Sequence, residues 1–115
     1  MAVQSIDLIA DYHAHIYFDG TEQRHVAQAL RDEIAQRFDV FVSRLVDRPI
    51  GPHPVPMFEI AFDPSMFSTI VPWLMLNRRG LSVLVHPNTG SAKDDHLVNA
   101  LWLGPQQELI VGPLL

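Results

Sequence analysis

Short runs of apolar and β-branched residues alternate along the chain with two longer stretches whose apolar positions recur every three or four residues. The short runs predict four strands, at residues 12–18, 40–46, 55–62 and 81–86. The longer stretches predict two amphipathic helices, one after an N-cap at Thr21 and one that starts at Pro64 behind an Asp63 cap. Pro72 falls inside the second helix, where we expect a kink or a break. Residues 97–103 are apolar but ambiguous between helix and strand, and the last dozen residues are predicted to be a short strand or a tail.

The order of these elements is strand, helix, strand, strand, helix, strand, which is the ferredoxin-like βαββαβ pattern of the α+β class. In that topology both helices pack on one face of an antiparallel sheet whose central strands are the first and the third. The fourth strand borders the first, and the second borders the third. The opposite sheet face needs a cover, which we expect to be a homodimer partner or the C-terminal segment. The length of 115 residues suits a single domain over residues 1–115.

Composition excludes several classes of function. Eight Lys and Arg against 13 Asp and Glu give a net charge of -5, the wrong sign for a nucleic-acid partner. The chain has no cysteine, which excludes a disulfide scaffold, a thiolate metal site and a cysteine nucleophile and is typical of a cytoplasmic protein. No apolar run approaches the ~20 residues of a membrane-spanning helix, and residues 1–10 lack the basic start of a signal peptide. We therefore expect a soluble cytoplasmic protein with no nucleic-acid or membrane partner.

Six histidines are many for a chain of this length, and four of them lie on or beside predicted strands. His13 and His15 are two residues apart on the first strand, so they share one sheet face with Tyr17. Two imidazoles at this spacing are the start of many β-based metal sites. Because the His-x-His pattern also occurs often by chance, a polar sheet face is the alternative interpretation.

The predicted topology brings further ligand types toward this pair. The end of the fourth strand lies beside the start of the first, so His86 approaches His13. Glu59 lies on the non-apolar face of the third strand and comes out near the first strand. A His/His/carboxylate set with open positions is used by non-haem Fe(II) oxygenases, whereas three histidines also suit Zn²⁺. An ion pair with Arg44 is the alternative interpretation of Glu59.

The other histidines are less directly placed. His53 precedes Glu59 by six residues, so a straight strand would separate them by about 20 Å. We expect His53 not to bind the same metal within one subunit, unless it reaches the site across a dimer interface or through a bent loop. His96 follows a polar stretch that we expect to be flexible, and it is either exposed or folded back over the sheet as an acid/base. His25 lies among charged helix residues and is predicted to be a surface histidine.

Four ordered segments of the chain resemble one known family. They are YHAHIYFD at 12–19, GPHPVPMFEIAF at 51–62, NRRGLSVLVHPNTG at 77–90 and DHLVNALWLG at 95–104. Together they are similar to the small DOPA 4,5-dioxygenase family of fungi and bacteria. The resemblance implies a ferredoxin-like domain, commonly dimeric, with extradiol catechol cleavage that uses a non-haem metal and O₂. It also implies that five histidines are motif positions: His13, His15, His53, His86 and His96.

Strand geometry and the resemblance together give a specific hypothesis. A divalent metal, Fe(II) or alternatively Zn²⁺, is held by His13, His15, His86 and Glu59. Glu59 is either a ligand or a group that orients the ligands. His53 or His96 takes or returns a proton as the catechol ring opens. Arg44 or Arg78 binds the carboxylate of a substrate such as DOPA.

Two other functions are compatible with the same pattern. A dimeric ferredoxin-like protein can hold Zn²⁺ structurally, or bind a small aromatic ligand, without turnover. Four protein ligands with no open position would favour that function. A cofactor-free monooxygenase on the same fold would need no bound metal.

Overall fold

The computed structural model describes residues 2–115. Met1, the first residue of the predicted domain and of the N-terminal segment, lies outside the described residues. One antiparallel sheet contains β1 Asp11–Tyr17, β2 Phe41–Val42, β3 Met57–Phe62, β4 Val83–Asn88 and β5 Leu101–Leu103. The strand order is β2-β3-β1-β4-β5, so the four predicted strands have their predicted neighbours. The ambiguous stretch 97–103 supplies β5, which pairs with β4 at the sheet edge.

Three α-helices connect the strands: α1 Gly20–Arg37, α2 Phe67–Asn77 and α3 Ala92–Leu97. As predicted, α1 and α2 pack on the same sheet face. Leu30 of α1 and Leu74 of α2 are fully buried there, in one cluster with Ile16 of β1 and Ile60 of β3. This arrangement is the ferredoxin-like α+β fold expected from the sequence.

The start of α1 differs from the prediction. Asp19 rather than Thr21 is the N-cap, and Thr21 lies in the first helical turn. The Asp19 backbone N–H donates a hydrogen bond to the Gln23 side chain at 2.9 Å, which ties the incoming chain to the helix. Gly20 has φ 85°, a conformation that glycine adopts without a Cβ penalty, so the chain can turn at this point.

The segment that leads into α2 is capped as predicted, but the helix is not broken. Asp63 accepts a hydrogen bond from the Ser65 N–H at 2.9 Å, and residues 64–66 form a 3₁₀ turn before α2. The prediction of a break at Pro72 is wrong, because α2 continues through it. Pro72 removes only the hydrogen bond to the Ser68 carbonyl and lies on the exposed side, where water can replace the lost donor.

β2 is much shorter than the predicted strand 40–46. Only residues 41–42 pair regularly with β3, and a single bridge to β3 follows at Val46. Between them, the Ser43 hydroxyl accepts a hydrogen bond from the Glu59 N–H at 2.8 Å. A side chain thus takes the place of a backbone partner, and the regular ladder ends.

The loop before β3 folds over the sheet face that α1 and α2 leave open. β3 starts two residues later than predicted, because the prolines before it carry no N–H group. The Pro52 carbonyl accepts a hydrogen bond from the Ile110 N–H at 2.8 Å, which joins the loop to the C-terminal segment. Gly51 is required at this contact, since a Cβ there would lie 2.7 Å from Pro113 Cγ. The C-terminal segment therefore covers part of the open face. Within residues 2–115, no helix combines the length and apolarity needed to cross a membrane.

Candidate active site

The open sheet face carries the predicted ligand group. In the register of β1, His13 lies opposite His86 of β4, and His15 lies opposite Glu59 of β3. The two-residue repeat of the strands puts all four side chains on the same face. His15 and His86 are buried, whereas His13 and Glu59 are partly exposed. The structure thus brings these four residues together, and their role as ligands stays a prediction.

The three histidines of this group are spaced like ligands of one ion, since His13, His15 and His86 each offer a ring nitrogen within 4.8 Å of the other two. His15 Nε2 lies 3.1 Å from His86 Nε2 and 3.7 Å from Glu59 Oε1. His13 Nδ1 lies 3.2 Å from the same oxygen. Two ligand atoms bound at about 2.1 Å, at right or tetrahedral angles, lie about 3.0–3.4 Å apart. The three histidines therefore fit a divalent ion after small shifts, and Glu59 contacts two of them rather than Arg44.

The hydrogen bonds of His86 and His15 also favour an ion between them. His86 Nδ1 donates to the Pro87 carbonyl at 2.9 Å, so its Nε2 presents a lone pair to His15. Without an ion, His15 fills this contact only with a proton on Nε2. Its buried Nδ1 then has no hydrogen-bond partner among residues 2–115. An unpaired buried polar atom costs about 1–3 kcal/mol of stability. Such an atom is more typical of a functional site than of a stable core.

Burial and neighbouring charges prepare the cluster for a cation. Burial lowers the pKa of His15 well below its usual range and lowers the pKa of His86 to about 4. The hydrogen bond to Glu59 raises the pKa of His13, and the same bond lowers the pKa of the Glu59 carboxyl. Near neutral pH the buried imidazoles are therefore neutral and Glu59 is charged. His13 is the member of the group whose protonated form the neighbouring carboxylate favours.

The expected separation of His53 from the cluster is wrong. Its ring centroid lies 4.1 Å from that of His15 in the same chain, because the loop bends over the sheet instead of extending β3. His53 is buried, and burial lowers its pKa to about 4. Its Nδ1 lies 2.7 Å from the hydroxyl of Tyr17, whose pKa burial raises above the usual range. The bent loop, one of the alternatives open from the sequence, brings His53 into the site without a second subunit.

His96 lies on α3, where the sequence predicted a flexible polar stretch. Its ring centroid is 4.0 Å from that of His86, so it folds back over the sheet. Asp95 fixes α3 to the end of β4, because its carboxylate accepts hydrogen bonds from the Thr89 N–H and hydroxyl, both at 2.8 Å. Although burial favours the neutral acid, these bonds lower the pKa of Asp95. A second group of histidines has ring nitrogens within 4.8 Å of one another: His15, His53 and His96.

Comparison with known proteins decides the family. The sequence profile of the Dopa 4,5-dioxygenase family matches residues 12–112. The chain belongs to this family. A crystal structure from Nostoc punctiforme, of a protein described as a candidate dioxygenase, matches this chain with a TM-score of 0.91 and 49% sequence identity. The match covers 95% of this chain and 94% of the other, so the family and the fold predicted from the sequence are both confirmed.

Two curated relatives are longer than this family member. A protein of Amanita muscaria named DOPA 4,5-dioxygenase is 37% identical over an alignment of 105 residues, which covers 84% of this chain and 46% of the Amanita protein. An uncharacterised 21.2 kDa protein of Botryotinia fuckeliana is 40% identical over an alignment of 108 residues, which covers 86% of this chain and 59% of the Botryotinia protein. The chain thus spans about half the length of the curated relatives it matches.

A hollow beside His96 gives this family member room for a small ligand. It has a volume of ≈ 230 Å³ and lies between β5 and the C-terminal segment, with Trp102 and Glu108 in its lining. The volume is below the roughly 300–1,000 Å³ of sites for drug-sized ligands and suits a single-ring compound. Trp102 offers an aromatic face, and Glu108 forms no ion pair within residues 2–115.

The two arginines considered for the substrate carboxylate lie elsewhere. Arg78 donates a hydrogen bond to the Leu81 carbonyl at 2.9 Å. Arg44 lines a separate hollow together with Arg24 and Gln28 of α1. The described residues that line this hollow include no histidine. A third hollow, of ≈ 370 Å³, lies on the helix side below the N-terminal segment and also contains no histidine. These contacts of the two arginines thus lie outside the histidine cluster, and a role for either in binding a substrate carboxylate stays a prediction.

Sequence reasoning did not assign a role to three residues of the site. Tyr17 follows the two histidines on the same face of β1, so the two-residue repeat could have pointed to it. Asp95 lies on α3, which the sequence predicted to be a flexible polar stretch. Trp102 lies on β5, in a stretch that was ambiguous between helix and strand. Their positions depend on contacts with β4 that no local pattern encodes.

Proposed function

We propose that this protein is a non-haem metal-dependent extradiol dioxygenase that opens the ring of a catechol such as DOPA, with O₂ as co-substrate. The observation that carries the proposal is the spacing of 3.1 and 3.7 Å from His15 Nε2 to the donor atoms of His86 and Glu59. Membership of the DOPA 4,5-dioxygenase family and the similarity to the Amanita muscaria protein support this reaction class.

Three histidines would hold the metal, for which we propose Fe(II): His13, His15 and His86. Glu59 would be a further ligand or would orient the histidines that it contacts. Bound Fe(II) would supply a redox-active Lewis acid for the reaction of the catechol with dioxygen. The chain keeps the buried imidazoles neutral and Glu59 charged, so few protons compete with the ion. Zn²⁺ fits the same donors and serves as a redox-inert substitute in binding experiments.

The hollow beside His96 is the proposed place for the organic substrate. Trp102 packs against the catechol ring, and the unpaired Glu108 carboxylate binds the ammonium group of an amino-acid substrate such as DOPA. His96 borders both this hollow and the metal-binding group, so it is in reach to accept a proton from a substrate hydroxyl. His53, the other acid/base candidate from the sequence, lies against His15.

The test of this function is a reconstitution experiment. The protein is loaded with Fe(II) without oxygen, mixed with L-DOPA and exposed to air, while oxygen uptake and the absorbance of the yellow ring-opened product are followed. We expect iron-dependent product with matching oxygen consumption, lost in His15→Ala and retained in the surface variant His25→Ala. Stoichiometric iron binding without turnover of L-DOPA or simpler catechols would contradict the proposal and favour a metal-binding protein without catalysis.

We further propose a cytoplasmic homodimer. Exposed apolar side chains next to the site, Val98 and Val111 among them, support a partner on this side of the molecule. Light scattering on the purified protein is expected to give about twice the chain mass of 13.0 kDa. A mass of one chain at micromolar concentration would contradict the dimer.

A further inference from the structure

Backbone carbonyl groups fix the proton position on two histidines of the cluster. His86 Nδ1 lies 2.9 Å from the Pro87 carbonyl, and His96 Nδ1 lies 2.7 Å from the Ala92 carbonyl. A carbonyl oxygen only accepts hydrogen bonds, so each Nδ1 carries the proton and donates it. In the neutral rings, Nε2 is then a bare lone pair, which is the state that a metal ligand or a general base requires.

His53 has a different partner and therefore a different proton position. Its Nδ1 lies 2.7 Å from the Tyr17 hydroxyl, a group that can donate or accept. Tyr17 is buried, and no other hydrogen-bond partner reaches its hydroxyl within residues 2–115. If Tyr17 only accepted, its own buried O–H would have no acceptor, which costs about 1–3 kcal/mol. The network therefore assigns Tyr17 as the donor, and neutral His53 carries its proton on Nε2.

Both members of this pair are held in place by other contacts. The Tyr17 ring stacks on Trp102 with centroids 5.8 Å apart and an angle of 20° between the planes. The backbone N–H of His53 donates a hydrogen bond to the Ile50 carbonyl at 2.8 Å, which closes the turn that carries the His53 side chain. The packing of Tyr17 and the turn at His53 thus hold the two side chains at hydrogen-bonding distance.

We propose that Tyr17 is a positioning residue that holds His53 as an Nε2–H hydrogen-bond donor and so excludes it from the metal ligands. An Nε2 that carries a proton has no lone pair for an ion, so the group His15, His53 and His96 is not a second ligand set. This assignment rests on the proposed function, and it gives His96 and His53 different roles. His96 accepts a proton, whereas His53 stabilises negative charge that develops on oxygen, without transferring its own proton.

The proton position of His53 is measured directly by nitrogen NMR of protein with ¹⁵N-labelled histidine, metal-free and loaded with Zn²⁺. Wild-type His53 is expected to show Nε2 protonated in both states, with shifts that Zn²⁺ changes far less than those of His15 and His86. In Tyr17→Phe, which keeps the ring and the Trp102 stack, a mixture of both proton positions is expected. Tyr12→Phe, on the helix side of β1, is the matched control and should leave the His53 signals unchanged.

Activity and metal binding give the second readout. With Fe(II) and L-DOPA, Tyr17→Phe is expected to lower kcat about tenfold, as loss of an outer hydrogen bond does at metal sites, with unchanged Zn²⁺ stoichiometry and KM. Protonation of wild-type His53 on Nδ1, or a large shift of its Nε2 signal on Zn²⁺ binding, would overturn the inference. Because the NMR result needs no turnover, it stands if the protein proves inactive on catechols, and it is decisive even if Tyr17→Phe does not fold.

Discussion

The two faces of the sheet use burial in opposite ways. On the helix face, Ala14 and Ile16 of β1 are fully buried among apolar side chains, and removal from water stabilises the fold. On the other face, His13 and His15 alternate with them along the same strand. Burial there strips water from imidazoles and leaves His15 Nδ1 unpaired, which opposes folding. One strand thus contributes stability and chemistry from neighbouring residues.

Stability and chemistry are therefore assigned to different residues, even though these residues are adjacent along the strand. A substitution on the helix face should change the free energy of unfolding and leave the chemistry of the folded molecules intact. At neutral pH, a substitution on the histidine face should change the chemistry and leave the free energy of unfolding nearly unchanged. Four experiments test this separation, in order of decreasing effect.

Ile60→Ala on β3 is expected to have the largest effect on stability. Ile60 is fully buried against both helices, and truncation of such a side chain costs about 2–5 kcal/mol. Urea denaturation of the metal-free protein measures the loss. The Zn²⁺ affinity of the folded variant should equal that of wild type. A loss below about 1 kcal/mol, or a weakened metal site, would break the distinction between the faces.

Stability of the metal-free protein should depend on pH through the histidine face. Burial lowers the pKa of His53 and His86 from 6.5 to about 4, so the unfolded chain takes up protons in this interval that the folded chain does not. The free energy of unfolding should therefore fall as the pH drops from 6.5 toward 4. Each of the two histidines contributes on the order of 3 kcal/mol.

Denaturation curves across this pH range provide the measurement. His53→Gln should flatten the profile, and the surface variant His25→Gln should not. His13, whose pKa is raised by Glu59, acts in the opposite direction, since its stabilising charge is lost as the pH rises. Stability that stays constant between pH 6.5 and 4 would show that the cluster is not desolvated as described.

Glu59→Gln, adjacent to Ile60, should act on metal binding. Loss of the charged oxygen is expected to weaken Zn²⁺ binding about 10–100-fold, measured by calorimetry. Stability of the metal-free protein should change by less than about 1 kcal/mol, because the carboxylate is partly exposed. Glu33→Gln on α1, which loses only a surface ion pair with Arg37, is the control. Unchanged Zn²⁺ affinity in Glu59→Gln would remove this residue from the site.

Glu108→Gln should have the smallest effect, confined to substrate recognition. The carboxylate is exposed, so its pairing with a substrate ammonium is worth roughly 0.5–1 kcal/mol, and KM for L-DOPA should rise about twofold to fivefold. KM for 4-methylcatechol, which has no ammonium group, should stay the same. Steady-state kinetics with both substrates distinguish the cases, and an equal rise for both would assign Glu108 a structural role.

The part of the site on regular strands was predictable, and the part on its cover was not. His13, His15, Glu59 and His86 follow from two rules, the alternation of side chains along a strand and the antiparallel neighbours of the βαββαβ order. His53 lies on a loop whose course depends on the hydrogen bond between Ile110 and Pro52, far apart in sequence. Strand spacing alone therefore gave a wrong distance for this residue.

The same contrast explains the errors in secondary structure. The short β2 reflects a single serine side chain that replaces a backbone partner of β3, which composition does not reveal. α3 exists because Asp95 bonds to Thr89 and anchors six residues that look like a polar linker. Local pattern predicts elements with a continuous apolar face, but not short elements fixed by individual polar contacts.

The central claim is that the histidine face of the sheet is a metal centre. Its most direct test is anomalous diffraction at the iron absorption edge from crystals loaded with Fe(II) without oxygen. We predict one peak about 2.1 Å from both His15 Nε2 and His86 Nε2, with Glu59 as a further ligand and His53 outside bonding distance. A peak bound by His53 and His96 without Glu59, or no peak on this face, would contradict the account.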